Sequence, residues 1–282
     1  MNPKHPIYII SKDRPRCITA RTLDKLKVPY KIVIEPQQLE EYKEHHDKNK
    51  FLLTPFQDLG KGSIPVRNWV WEHSKEAGDK RHWILDDSIE EFKRLNRNTK
   101  IKVRTGAIFR AAEDFVKRYR NVPLAGMNYV SFAKATDKLP PFYLNTRVYS
   151  CMLIHNDLKI RWRGKYNEDT DLSLRVLKMG YCTILFNAFL CGKVTTYRMK
   201  GGNTSIYDET NNRKEFVESL IEQHPDVVKL TKKFGRYHHQ VNYKSFKENN
   251  KLIKKFPDKK YSGINEYGMV LKENCTNKVV SE

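Results

Sequence analysis

Long apolar runs are missing from this chain. No stretch approaches the ~20 consecutive apolar residues that a membrane-spanning helix needs, and Met1-Asn2-Pro3-Lys4-His5-Pro6 has neither the basic start nor the apolar run of a secretory leader. A cytoplasmic protein with no membrane partner is expected. Cysteine is scarce: Cys17, Cys151, Cys182, Cys191 and Cys275 are odd in number and scattered, without a CxxC pair or a Cys/His cluster at zinc spacing. That pattern argues against a disulfide framework or a zinc module and reads as reduced structural thiols. No internal repeat or low-complexity tract is present, which sets repeat architectures aside.

Acidic residues are also in deficit. Thirty-three Asp and Glu face 53 Lys and Arg, a net charge of +20 across 282 residues. An excess of that size costs self-repulsion and points to a polyanionic partner: nucleic acid, an anionic membrane face or a phosphorylated substrate. What is present suffices for a core, 39% hydrophobic residues with 11% aromatic, despite a mean hydropathy of -0.71. The length allows one large domain or two small ones.

Ile7-Tyr8-Ile9-Ile10 predicts a buried strand opening into the polar turn Ser11-Lys12-Asp13-Arg14-Pro15. A helix over 16–27, a strand over 30–35, a helix over 39–49 and a strand over 51–55 follow by composition and periodicity. Ser63 as N-cap and Pro65 in the first turn start another helix at Ile64, and Arg81–Leu85 reads as a strand running into Asp86-Asp87. Further helices are expected over 104–120 and 169–179, with Gly180 as a C-cap, and strands over 124–127, 150–154 and 181–186. This alternation is the α/β pattern of a mainly parallel sheet covered by helices. Beyond Gly192 the texture changes: 200–214, rich in Gly, Asn and Thr, reads as a mobile loop, and a helix near 213–223 leads into a basic tail. From Lys229 to Lys272, twelve Lys and Arg against three Asp and Glu leave a surplus of nine, interleaved with aromatics that suit stacking as well as phosphate contact.

Two constellations carry chemistry. Asp86 and Asp87 close an apolar strand, and adjacent carboxylates at the carboxyl end of a parallel strand need compensation. A hard divalent ion bridging two phosphates is one solution; an exposed Asp-Asp turn or cap is the other. Glu168, Asp169 and Asp171 fall within four positions at a helix start, where the dipole favours acids, yet three exceed what capping requires. A carboxylate there, beside a cleft, can also act as a general base on an alcohol.

Taken together over residues 6–200, the Trp83–Ile89 strand with its DxD-like Asp86-Asp87-Ser88 and the later Glu168-Asp169 box resemble GT-A glycosyltransferases. More narrowly, Pro6–Pro15, the loop-helix Gly62–Asn68 and the Asp-Asp strand look like the phage and kinetoplastid glycosyltransferases associated with TET/JBP-type base hydroxylases. The resemblance implies a GT-A core over 1–200, with a basic helical C-terminal extension over 201–282 packed on it and facing DNA. It further implies transfer from a UDP-sugar to a 5-hydroxymethylpyrimidine of DNA, with Mn2+ or Mg2+, by a monomer in the cytoplasm, that of the host if the chain is phage-encoded. Asp86 and Asp87 would face the metal and the donor diphosphate, with Arg14 and Arg67 as donor contacts and Asp169, or Glu168, as the base. Ser88, where many relatives carry a carboxylate, shifts metal binding onto Asp87, and His238 is the C-terminal residue taken to complete the site, with His224 and His239 as the other candidates. Lys200, or Lys193 and Arg198 near it, would stabilise the leaving diphosphate in a closing loop. The charge division expected is an acidic cleft beside a basic surface. Two other readings stay open: a GT-A enzyme acting on a cell-envelope glycan or protein, and an inactive module that binds nucleic acid.

Overall fold

The computed structural model describes residues 1–134, 136, 138–164, 166–194, 213–233, 235–249, 251–257 and 264. Its elements, in order, are β1 (Ile7–Ile10), α1 (Ile18–Lys25), β2 (Lys31–Ile34), α2 (Leu39–Lys43), β3 (Phe51–Leu53), α3 (Ile64–Glu76), β4 (Arg81–Asp86), β5 (Ile89–Asn96) and β6 (Thr99–Lys102). These lead into α4 (Ala107–Lys117), β7 (Leu124–Tyr129), β8 (Phe142–Leu144), β9 (Cys151–His155), α5 (Glu168–Lys178), β10 (Thr183–Lys193), α6 (Arg213–Gln223), β11 (Val228–Lys233) and β12 (Arg236–Val241).

The large sheet runs β3-β2-β1-β4-β9-β7-β10-β5-β6, and β8 pairs the first half of β10. β3, β2, β1 and β4 are mutually parallel, and β7 and β10 are parallel to each other. β9 runs antiparallel between β4 and β7, so those two share a direction, and the mixed sheet is mainly parallel in sense. Its central strands β1, β4, β9 and β7 are buried along nearly their whole length because both faces are covered. The period of two sorts them: Ile7, Ile9, Ile32, Ile34, Trp83 and Leu85 pack with α1 and α4, whereas Tyr8, Val33, Ile84, Met152 and Ile154 pack with α3 and α5. A third, smaller core joins Leu174 and Leu177 of α5 to Leu220 of α6, Val228 and Phe246, docking the described C-terminal segment on the outer side of α5.

The expected elements recur with shifted ends. α2 stops at Lys43 because only Tyr42 in it is buried, too little apolar surface to carry the helix to residue 49. The β5–β6 hairpin was not foreseen; Ile89 and Phe92 point inward while Glu90 is exposed, a partial alternation within a charged run. The described part of the C-terminal extension begins with the expected helix, α6, and continues as the β11–β12 hairpin. The loop expected over 200–214 lies outside the described residues except at its last two positions. No helix among the described residues is long and apolar enough to cross a membrane. Cys17, Cys151, Cys182 and Cys191 are buried free thiols.

Gly126 marks the tightest approach of β7 to β9. A Cβ there would stand 2.4 Å from Val148 Cγ1 and 2.5 Å from the Cys151 carbonyl oxygen, which is backbone and cannot swing aside. Gly126→Ala is expected to cost about 1–3 kcal/mol in denaturant unfolding, as overpacking does.

Candidate active site

Because β1, β4, β7 and β10 point the same way, their carboxyl ends gather on one edge of the sheet, where open α/β sheets bind ligands. A cleft of about 570 Å3 opens there. The turn after β1 brings Ser11, Lys12 and Arg14 to it; β4 ends in Asp86 and runs on to Asp87; β7 and β10 end in Tyr129 and Lys193. The first turns of α3 and α5 supply Ser63, Arg67, Glu168 and Asp169, and the segment before β9 supplies Arg147, Tyr149 and Ser150.

Asp86 is the hub. Its Oδ1 accepts from Arg67 Nη2 at 3.1 Å, and its Oδ2 from Lys193 Nζ at 2.5 Å and Ser150 Oγ at 2.7 Å. Burial raises the carboxyl's pKa, but the Lys193 and Arg67 charges outweigh it and hold the group well below the ordinary carboxylate range. Ser150 sits at φ 55, a left-handed backbone that costs a non-glycine residue about 1 kcal/mol or more. Asp86 holds it on both sides, since the Asp86 N–H also donates to the Ser150 carbonyl at 2.9 Å. Tyr129 OH lies 2.5 Å from Ser150 Oγ and extends the chain of hydroxyls.

Asp87, 4% exposed, accepts from Arg14 Nη1 at 2.7 Å and from Ser11 Oγ at 3.1 Å. Burial nevertheless leaves its pKa raised, with the Arg14 charge opposing and Asp86 reinforcing the shift.

The three acids of α5 have three different surroundings. Glu168 lies 3.9 Å from Arg67 Nε and accepts from Ser63 Oγ at 3.4 Å; burial raises its pKa. Ser63 stands at the N-cap position of α3 in helical conformation without capping it, and its hydroxyl accepts from Arg67 Nε instead. Asp169 accepts from the Thr170 N–H at 2.7 Å and forms no ion pair among the described residues. Asp171 is fully buried behind the helix, bonded by Arg163, Arg175 and His224.

The structure therefore brings Arg14, Arg67, Asp86, Asp87, Glu168 and Asp169 into one cleft. His238 is not among its lining residues: it sits on β12 opposite Thr231, while His224 is bonded to Asp171 and His239 lines a second cavity. Lys200 and Arg198 lie outside the described residues. The cleft is not acidic. Its carboxylates, Glu35, Asp86, Asp87, Glu168 and Asp169, are matched by Lys12, Arg14, Arg67, Arg147 and Lys193. Arg147, Tyr149 and Ser150 carried no motif; only the fold brings them beside Asp86.

A divalent ion fits this donor set poorly. Every carboxylate oxygen of Asp86 and Asp87 already accepts from a side chain, three of the four from a cation, and no group of three His, Cys, Asp or Glu among the described residues is placed to hold a metal. The compensation that adjacent carboxylates require comes from Arg14, Arg67 and Lys193.

Comparison with known proteins places this cleft in context. A profile for the TET-associated glycosyltransferases matches residues 5–202. The chain belongs to the TET-associated glycosyltransferase family. It is a glycosyltransferase, and every cleft residue falls within the matched segment. Among solved structures, it is similar to a putative nucleotide-diphospho-sugar transferase from Desulfovibrio desulfuricans, at 12% identity over 65% of this chain and 80% of that one, with a TM-score of 0.37. A mannose-1-phosphate geranyltransferase from Thermus thermophilus matches at 10% identity over 67% of this chain and 57% of that one, with a TM-score of 0.31. No curated protein matches the sequence.

Within this glycosyltransferase, Asp171 is a structural acid. Asp171→Ala leaves Arg175 and His224 without their buried partner and is expected to cost about 3–5 kcal/mol in denaturant unfolding. Burial opposes ionisation, but the His224 hydrogen bond and the two arginines hold its pKa below the ordinary value. Its contribution is therefore present at neutral pH and fades as pH falls through the folded pKa, so the gap between variant and wild type should narrow in acid.

Proposed function

We propose that this glycosyltransferase moves the sugar of a UDP-sugar onto the hydroxyl of a 5-hydroxymethylpyrimidine in DNA, with inversion. The observation that carries the reading is a single cleft holding both a cation cluster and, beside it, Asp169, a carboxylate in no ion pair among the described residues. Arg67, Lys193 and Arg14 are suited to the donor diphosphate, whose charge grows as the glycosidic bond breaks. Asp169 takes the proton of the acceptor hydroxyl; the oxygen attacks the anomeric carbon, and the bond to the diphosphate breaks on the opposite face. One displacement inverts the centre. Glu168, held against Arg67 and Ser63, positions the guanidinium. DNA as acceptor is supported by the hairpin, where Lys229, Lys232, Lys233 and Arg236 are exposed.

Incubation with a panel of UDP-sugars and hydroxymethylated DNA, followed by digestion to nucleosides, should give a hexose, pentose or N-acetylhexosamine mass increment on one pyrimidine. An increment that appears only on a glycan or protein acceptor would overturn the reading. Asp169→Asn is expected to lower kcat by about 10²–10⁴-fold with donor affinity retained, and Lys193→Ala to lower it by about 10²–10³-fold. Because the chain supplies the cations, transfer should persist in excess EDTA; activity lost to EDTA and restored by Mn2+ would assign that charge to an ion.

A further inference from the structure

A second cavity, of about 420 Å3, adjoins the first through Arg147 and Tyr149, which line both. Its other walls include Phe132, Tyr143, His239 and Tyr243. We infer that this cavity receives a pyrimidine base extruded from the DNA strand, directing its hydroxymethyl group past Arg147 and Tyr149 to Asp169. The inference rests on the glycosyl-transfer reading and names its acceptor subsite.

Four observations support it. The wall is aromatic and already rigid: Tyr149 OH donates to Asn128 Oδ1, its ring lies 4.5 Å from that of Tyr129 and 6.4 Å from that of Phe132, and the Arg147 guanidinium covers it at 4.7 Å. Such faces stack planar bases with little loss of side-chain freedom. Phe132 is 55% exposed and Tyr143 37%, aromatic surface that the described residues leave uncovered. Asp169 lines the first cavity together with Arg147 and Tyr149, the two residues that the cavities share, and its negative charge favours the Arg147 guanidinium. Finally, His239 lies on β12, the hairpin that carries the exposed cations, so a strand tracked by those cations delivers a base to the cavity mouth. Burial, with Arg147 nearby, lowers the His239 pKa to about 4, leaving a neutral imidazole able to donate or accept a hydrogen bond at a base edge.

The volume falls in the usual range of small-molecule sites, about 300–1,000 Å3. Its parts divide between two stretches of chain: Phe132, Tyr143, Arg147 and Tyr149 lie inside the family-matched segment, His239 and Tyr243 beyond it. The C-terminal hairpin thereby helps to choose the acceptor.

The test uses the full chain with Phe132→Ala and His239→Ala, a UDP-sugar, and hydroxymethylated oligonucleotides carrying 2-aminopurine beside the target base. Each variant is expected to raise the acceptor KM by roughly 5- to 150-fold, with the donor Kd unchanged. Wild type should enhance 2-aminopurine fluorescence on binding, and Phe132→Ala should abolish the enhancement. An unchanged KM in both variants, a donor Kd that rises in parallel, or no enhancement with wild type overturns the inference. An enhancement lost in Phe132→Ala without sugar transfer from any donor upholds the pocket and overturns the transfer reading.

Discussion

The Asp86 carboxylate, gripped by Arg67, Lys193 and Ser150, is the contact on which the site depends. It ties the end of β4 to the first turns of α3, the end of β10 and the residue before β9, so four separate stretches of chain meet at one side chain. A carboxylate half-buried at the floor of this cleft would be costly if left without partners. Paired with two cations and a hydroxyl it stays ionised and holds Ser150 in a left-handed backbone that the residue would not choose. The same cations that satisfy Asp86 are the ones a diphosphate needs, so the resting site and the proposed donor complex draw on one set of charges.

This explains why charge read along the chain misled about charge in the cleft. Asp86-Asp87 and Glu168-Asp169-Asp171 suggested an acidic pocket awaiting a metal. In the fold Asp171 turns away to bond His224, Arg163 and Arg175, and Arg147 and Lys193 arrive from distant positions, leaving the lining balanced. Asp169 keeps its carboxylate outside any ion pair among the described residues. In the reading proposed above, that carboxylate takes the proton of the acceptor alcohol while the paired cations meet the departing diphosphate.

Patterns with a period were legible in the sequence. The strands β1, β4 and β9 lie where their composition put them, and Asp86 closes β4 with the buried Asp87 directly after it. Glu168 and Asp169 open α5 for the reason acids favour helix starts. Arg14 and Arg67 were found through resemblance. Arg147, Tyr149 and Ser150 were not found, since no spacing or motif marks them; nor was the partial alternation of β5 recognised.

By itself, then, the sequence determined an α/β chain with carboxylates at a strand end and a helix start, a surplus of positive charge toward its C-terminus, and membership of a glycosyltransferase family. Only the tertiary structure decided which cation neutralises which acid, that His238 stands apart from the cleft, and that an aromatic cavity adjoins it. Local propensity and burial act over a few residues and leave a period in the sequence. Ion pairs and cavity walls join residues a hundred or more positions apart, Asp86 to Lys193 among them, and such pairings exist only once the strands have chosen their neighbours.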